Sequence, residues 1–337
     1  MSLKDFFKKK KTESPKTVVM EIPVLSDCEK TVVLPTETEK SLDATMTVRI
    51  EANSDTKKLF ASSECVYAGG SSLQGTREYQ QDALNVEIRQ DRETGESRII
   101  SVLCDGMGGL EGGERASRLA VSRMMDELDT SWNTYPDIYL DAAMDVNYEV
   151  RNLRDQETGR KLEAGTTLTA ASIQKNQLYW CSVGDSRIYL YRQGVMQCLT
   201  RDHIYGNDLD EMAEKGEITA EQAEKTPGRA ALTSYLGIRN LERINYNQTS
   251  MELRPGDVIL QCSDGLYRSL SEMEMAYTIQ RCFPDMQKAA DSLTSIAVGQ
   301  PGKHDNTSAV LLCYMGIDED TSDSVSYDRK NEGGNKE

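Results

Sequence analysis

Arg98-Ile-Ile-Ser-Val-Leu-Cys-Asp105-Gly-Met-Gly-Gly109 runs from a largely apolar stretch straight into Asp-Gly, and related junctions recur downstream. They are Cys181-Ser-Val-Gly-Asp185, Leu260-Gln-Cys-Ser-Asp264-Gly265 and Lys303-His-Asp305-Asn-Thr307, the last lying ahead of its apolar run. A single Asp at the end of a strand is an ordinary turn former or helix cap. Several of them beside buried-type runs point instead to carboxylates packed together. Carboxylates packed together raise one another's pKa unless a cation offsets them. Hard oxygen ligands of this kind suit Mg²⁺ or Mn²⁺, and the adjacent Gly lets a backbone carbonyl approach closely.

Outward from that stretch, apolar runs at Arg98–Cys104, Leu168–Ile173, Gln177–Val183, Arg187–Tyr191, Asp257–Cys262 and Thr307–Cys313 read as strands. Helical spacing governs Glu114–Leu128, Asp137–Leu153 and Gln287–Val298. Several strands follow one another through short turns such as Gln193-Gly194, which predicts antiparallel pairing. The expected fold is therefore α+β, with two packed antiparallel β-sheets flanked by helices. The polar, Ala- and Glu-rich stretch 205–229 is expected to be an inserted surface flap. Residues 1–62, rich in Thr, Lys, Glu and Ser, and the acidic tail 316–337 are expected to be disordered around a domain at 63–315.

The chain has 337 residues and a formal net charge of −16, which argues against non-specific nucleic-acid binding, since that needs a basic face. No apolar run approaches the ~18 residues of a transmembrane helix. The N-terminus has charge without the apolar segment of a signal peptide. The 8 Cys are scattered with no Cys-x-x-Cys pair, as expected for reduced thiols of a cytoplasmic protein. With only 2 His, a His-rich zinc site is nearly excluded, and chemistry must lean on carboxylates.

Asp105-Gly-Met-Gly-Gly109 followed by Gly113-Glu-Arg-Ala-Ser117 resembles the signature of the metal-dependent protein phosphatases (the PPM family, type 2C) in their bacterial form. Further segments agree in order: Gly75-Thr-Arg77-Glu-Tyr-Gln-Gln-Asp82, Gly165-Thr-Thr167, Val183-Gly-Asp185-Ser-Arg187, Thr200-Arg-Asp202-His203, Ser263-Asp264-Gly-Leu266 and Asp305-Asn306-Thr307. The resemblance covers about residues 64–314. It implies a Ser/Thr protein phosphatase in which two Mn²⁺ or Mg²⁺ ions activate a water that attacks phosphorus. It also implies roles for individual residues. Asp105 would bridge both metals and the Gly106 carbonyl would bind one of them. Asp264 and Asp305 would bind the second, with Asp82 close by. Asp185 would help hold a third, weaker metal, and Arg77 would grip the substrate phosphate as a planar two-pronged donor. Implied partners are phosphorylated Ser/Thr proteins and a cognate Ser/Thr kinase, with the enzyme acting as a monomer.

Two positions depart from the wider family. Gln81 stands where many members have Glu, which leaves open a catalytically weak scaffold that binds phosphopeptides. Met107 stands where eukaryotic members have His, although bacterial members share the Met. A structural cation site in an unrelated enzyme is a third reading. In the N-terminal segment, Thr17-Val-Val-Met20, Thr31-Val-Val-Leu34 and Thr45-Met-Thr-Val48 recur every 14 residues. This is either a β-prone linker or a set of phosphothreonine sites. Thr17, Thr31 and Thr45 each precede an apolar residue by three positions, a spacing that resembles the ligands of forkhead-associated domains.

Overall fold

The computed structural model describes residues 59–63, 66–90, 97–108, 112–130, 137–155 and 157–316. The first part of the chain supplies β1 (Leu59–Ser63), β2 (Val66–Leu73), β3 (Asp82–Gln90) and β4 (Ser97–Gly108), then α1 (Gly112–Thr130) and α2 (Asp137–Arg151). A run of strands follows: β5 (Ala164–Thr166), β6 (Leu168–Gln174), β7 (Gln177–Val183), β8 (Arg187–Arg192) and β9 (Val195–Cys198). Two helices, α3 (Tyr205–Glu214) and α4 (Ala220–Lys225), occupy the 205–229 stretch, and the short strands β10 (Asn245–Tyr246) and β11 (Met251–Glu252) come after them. The chain closes with β12 (Val258–Cys262), α5 (Asp264–Tyr267), α6 (Glu272–Cys282), α7 (Met286–Val298) and β13 (Thr307–Tyr314).

One sheet has the order β1-β2-β13-β12-β8-β9; the other runs β10-β7-β6-β4-β3, with β11 on β7 and β5 on β4. All these pairings are antiparallel. The period-2 alternation of strand side chains lets each sheet face the inter-sheet core on one side and α1 with α2, or α6 with α7, on the other. Along β4, Ile99 and Leu103 enter the core between the sheets, while Ile100, Val102 and Cys104 pack under α1 and α2. Along β13, Val310 and Leu312 face the inter-sheet core, and Ala309, Leu311 and Cys313 face α6 and α7. Strands covered on both faces read as continuous apolar runs, so these were the ones visible in the sequence. The Gln193-Gly194 turn joins β8 to β9 with φ of 51° and 86°, the left-handed pair that a two-residue hairpin requires.

The structure corrects one expectation about β4. Asp105 does not end the strand. β4 leaves β6 after Leu103, pairs with β5 from Gly106 to Gly108, and keeps β3 beside it as far as Asp105. Gly106 makes that continuation possible by close approach. A Cβ there would meet the Gly113 carbonyl at the start of α1 and would lie 2.7 Å from the Gln81 carbonyl oxygen. Gly106→Ala is therefore expected to lower unfolding stability by about 1–3 kcal/mol, measured by urea denaturation, because β4 and α1 must part. Wild-type stability in that variant would contradict the packing described.

Candidate active site

The pairing of β3 with β4 sets Asp82 directly across from Asp105. Directly opposed strand residues have Cβ atoms about 4.5–5.5 Å apart, and like charges there repel. Asp264 enters at the first residue of α5, and Asp305 precedes β13, which is hydrogen-bonded to the β12 that feeds α5. Asp185 follows β7 in the turn to β8. Mutual repulsion ties the group together electrically. Burial, then the fields of Asp82, Asp264, Asp185 and Asp305, push the half-buried Asp105 well above the usual carboxylate range. Burial, with Asp264 and Asp305 adding to it, raises Asp82 to about 7 against the hydrogen bonds from Ser308 and Ser263. Burial and Asp264 raise Asp185 to about 6.

The acidic residues are held, through side chain or backbone, by partners that their spacing did not reveal. Asp82 Oδ2 accepts from Ser263 Oγ at 2.8 Å and Ser308 Oγ at 2.7 Å. The Asp105 amide donates to Thr167 Oγ1 at 2.9 Å, and its carbonyl accepts from Thr166 Oγ1 at 2.9 Å. Thr167 is itself fixed to Ser186 at 2.7 Å. His203 lies buried below the Asp185 turn, where Nδ1 accepts the Gly184 N–H at 3.1 Å. Asn306 joins two loops: its side-chain amide donates to the carbonyls of Gln74 and Tyr79, and its Oδ1 accepts from the Gln81 N–H at 2.8 Å. The Gly-Thr-Thr, Gly-Asp-Ser-Arg and Asp-Asn-Thr motifs were the only signals of these roles.

That stitching places Arg77 at the rim. Its loop is bonded to the His304 carbonyl through the Thr76 N–H and Oγ1, both at 3.0 Å. The Arg77 side chain is 62% exposed and donates to Asp305 Oδ2 at 2.5 Å. Asp264 and Asp105 add to the field that stabilises its charge.

Two oxygens report what the cluster suits. Asp82 Oδ1 and Asp264 Oδ1 are buried and accept no hydrogen bond. A buried anionic oxygen without a donor is costly, and a hard cation is its natural partner. Among the described residues no group of three His, Cys, Asp or Glu side chains meets tightly enough to hold an ion alone. A site completed by waters and a backbone carbonyl such as that of Gly106 is the arrangement Mg²⁺-type ions favour.

The family model for protein phosphatase 2C matches residues 70–296. The chain belongs to the protein phosphatase 2C family. It is similar to the serine/threonine phosphatase stp of Listeria innocua, 30% identical over 225 residues, covering 65% of this chain and 86% of that protein. Among solved structures, the serine/threonine phosphatase of S. agalactiae superposes with a TM-score of 0.62 at 25% identity, covering 74% of this chain and 99% of the other. The catalytic domain of the serine/threonine phosphatase PstP, solved with 2 manganese ions, superposes with a TM-score of 0.56 at 26% identity and the same coverages. Burial raises the Cys104, Cys181 and Cys262 thiols above their ordinary range. Among the described residues no helix is long and apolar enough to cross a membrane. Thr17, Thr31 and Thr45 lie outside the described residues.

Proposed function

We propose that the protein is a Mn²⁺- or Mg²⁺-dependent phosphatase acting on phosphoserine and phosphothreonine in proteins. The supporting observation is the Asp82–Asp105 pair, opposed across two strands and surrounded by Asp264 and Asp305, with two buried carboxylate oxygens lacking a donor. Asp82, Asp105, Asp264, Asp305 and the Gly106 carbonyl would hold two ions. Ions so held supply a water acidic enough to attack phosphorus at neutral pH, and positive charge for the phosphoryl oxygens.

Arg77 is the group that positions substrate. Its guanidinium fork matches a phosphate as well as a carboxylate, so it exchanges Asp305 for the phosphoryl oxygens once Asp305 has another cation. Met107 has no proton to give, so the departing Ser or Thr oxygen takes its proton from water. The scaffold alternative rested on Gln81. Its side-chain amide donates to the Gly108 carbonyl at 3.3 Å, a backbone tie that needs no negative charge.

Arg77→Ala is expected to raise the KM for a phosphothreonine peptide roughly 10- to 100-fold, the worth of a charged two-pronged contact. Mn²⁺ affinity, measured calorimetrically, should not fall. An unchanged KM would remove Arg77 from substrate binding.

The 205–229 segment is suited to shaping peptide choice. The Asn207 side chain donates to the Asp202 carbonyl at 2.7 Å, and the His203 N–H donates to the Gly184 carbonyl at 2.9 Å, so α3 hangs from the turn that carries Asp185. The wider setting is a cytoplasmic monomer opposing a cognate Ser/Thr kinase. Phosphorylated Thr17, Thr31 and Thr45 would dock a forkhead-associated partner, their repetition compensating for weak single contacts.

A further inference from the structure

Arg268 lies directly after the single turn of α5, four residues beyond Asp264. Its Nη1 is 2.9 Å from Asp264 Oδ2 and its Nη2 is 3.3 Å from Asp185 Oδ2. One guanidinium thus holds Asp264 together with Asp185, the carboxylate that the family resemblance expects to help hold a third, weaker metal. The neighbouring cation is committed elsewhere. Arg187 donates to both oxygens of Asp202 at 2.9 and 2.8 Å and stacks 3.7 Å above the Tyr267 ring. Asp264 therefore has Oδ2 on Arg268 and only Oδ1 left without a donor, and Asp185 has its Oδ2 on the same guanidinium. A third divalent ion placed there would face a fixed positive charge already bound to one oxygen of each carboxylate. The residues present do not fit a third metal.

We propose that Arg268 is a resident cation at this position, so that the phosphatase holds two metals and uses a guanidinium where the third would sit. The proposal rests on the two-metal reading above. An Arg charge is permanent across physiological pH and cannot be stripped by a chelator. The Asp185–Asp264 edge is thereby held together at every metal concentration, and saturation by Mn²⁺ has no separate low-affinity phase.

Counting bound Mn²⁺ by the loss of its electron paramagnetic resonance signal separates the possibilities. Metal-free full-length protein is titrated into the millimolar range as wild type, Arg268→Gln, Asp185→Asn, and the double variant. Wild type is expected to bind two ions, and Asp185→Asn also two. Arg268→Gln should gain one more, with a dissociation constant on the order of 1 mM, and the double variant should lose it again. Melting curves check that each variant folds; Arg268, 52% exposed, has no deep packing to lose. Two outcomes overturn the proposal alone: a third ion in wild type that Asp185→Asn removes, or only two ions in a folded Arg268→Gln. Wild type that binds no Mn²⁺ at all overturns the metal reading and the proposal with it.

Discussion

Asp105→Ala is expected to abolish Mn²⁺-dependent phosphate release from a phosphothreonine peptide while leaving the fold intact. Asp105 sits opposite Asp82, feels every other carboxylate of the cluster, and has its backbone clamped on both sides by Thr166 and Thr167. Removing its carboxylate takes away the group on which Asp82, Asp264, Asp185 and Asp305 all act, so neither ion would keep its place. Metal charge is worth several kcal/mol at the transition state, which puts the loss in kcat at on the order of 10³-fold or more. The strand should survive, because β4 is held by its ladder and by Ile99, Ile100, Val102 and Leu103 on its two faces. Circular dichroism melting beside the kinetic assay checks both halves. Full activity in a folded Asp105→Ala protein would sink the assignment of this cluster.

The second large effect concerns pH in the metal-free protein. Asp82 is raised from an ordinary carboxylate value to about 7, Asp185 to about 6, and Asp105 and Asp264 shift the same way. A carboxyl with a raised folded-state pKa binds its proton more tightly folded than unfolded. Its contribution is fully present below the unfolded value near 3.8 and is lost as pH rises through about 7. Scanning calorimetry in chelator should therefore show the melting temperature falling between about pH 5 and about pH 8, by on the order of 5 °C. Millimolar Mn²⁺ should restore most of that loss at the alkaline end, since the ion binds the deprotonated carboxylates and displaces their protons. Asp82→Asn should flatten the chelator curve. A melting temperature that climbs steadily from pH 5 to pH 8 without metal would place the repulsion elsewhere.

The strands legible in the sequence are those buried on both faces. β6, β7, β8, β12 and β13 each carry an apolar run because helices cover one side and the opposite sheet covers the other. β2 was not legible: Val66-Tyr-Ala-Gly-Gly-Ser-Ser-Leu73 has little apolar character after Ala68, and Gly69 is there because α7 crosses against its backbone at Met286 and Gln287. α6 was missed because Met273 and Tyr277 sit on its exposed face and blur the helical stripe. β4 was cut short at Asp105 because an Asp-Gly pair signals a turn locally. The pairing of Gly106–Gly108 with β5 is a long-range contact that local propensity does not contain.

The same division runs through the site. Asp105, Asp185, Asp264 and Asp305 were visible because an Asp beside an apolar run is conspicuous, whereas Asp82 came from the family resemblance alone. Ser263 and Ser308 were not visible, since a hydroxyl just after β12 or within β13 carries no pattern until those strands bring both to Asp82. Arg268 was invisible for a different reason. Four residues after Asp264 it reads as a routine helical ion pair, and its second partner, Asp185, comes from a turn 83 residues away in sequence.

The most direct measurement is phosphate released from a phosphothreonine peptide as Mn²⁺ is added to chelator-treated protein. Release is expected to be absent without metal, to rise saturably with Mn²⁺, and to be lost in Asp264→Ala at every concentration. Release that is indifferent to Mn²⁺, or peptide binding without any turnover at millimolar Mn²⁺, would contradict a phosphatase centred on these carboxylates.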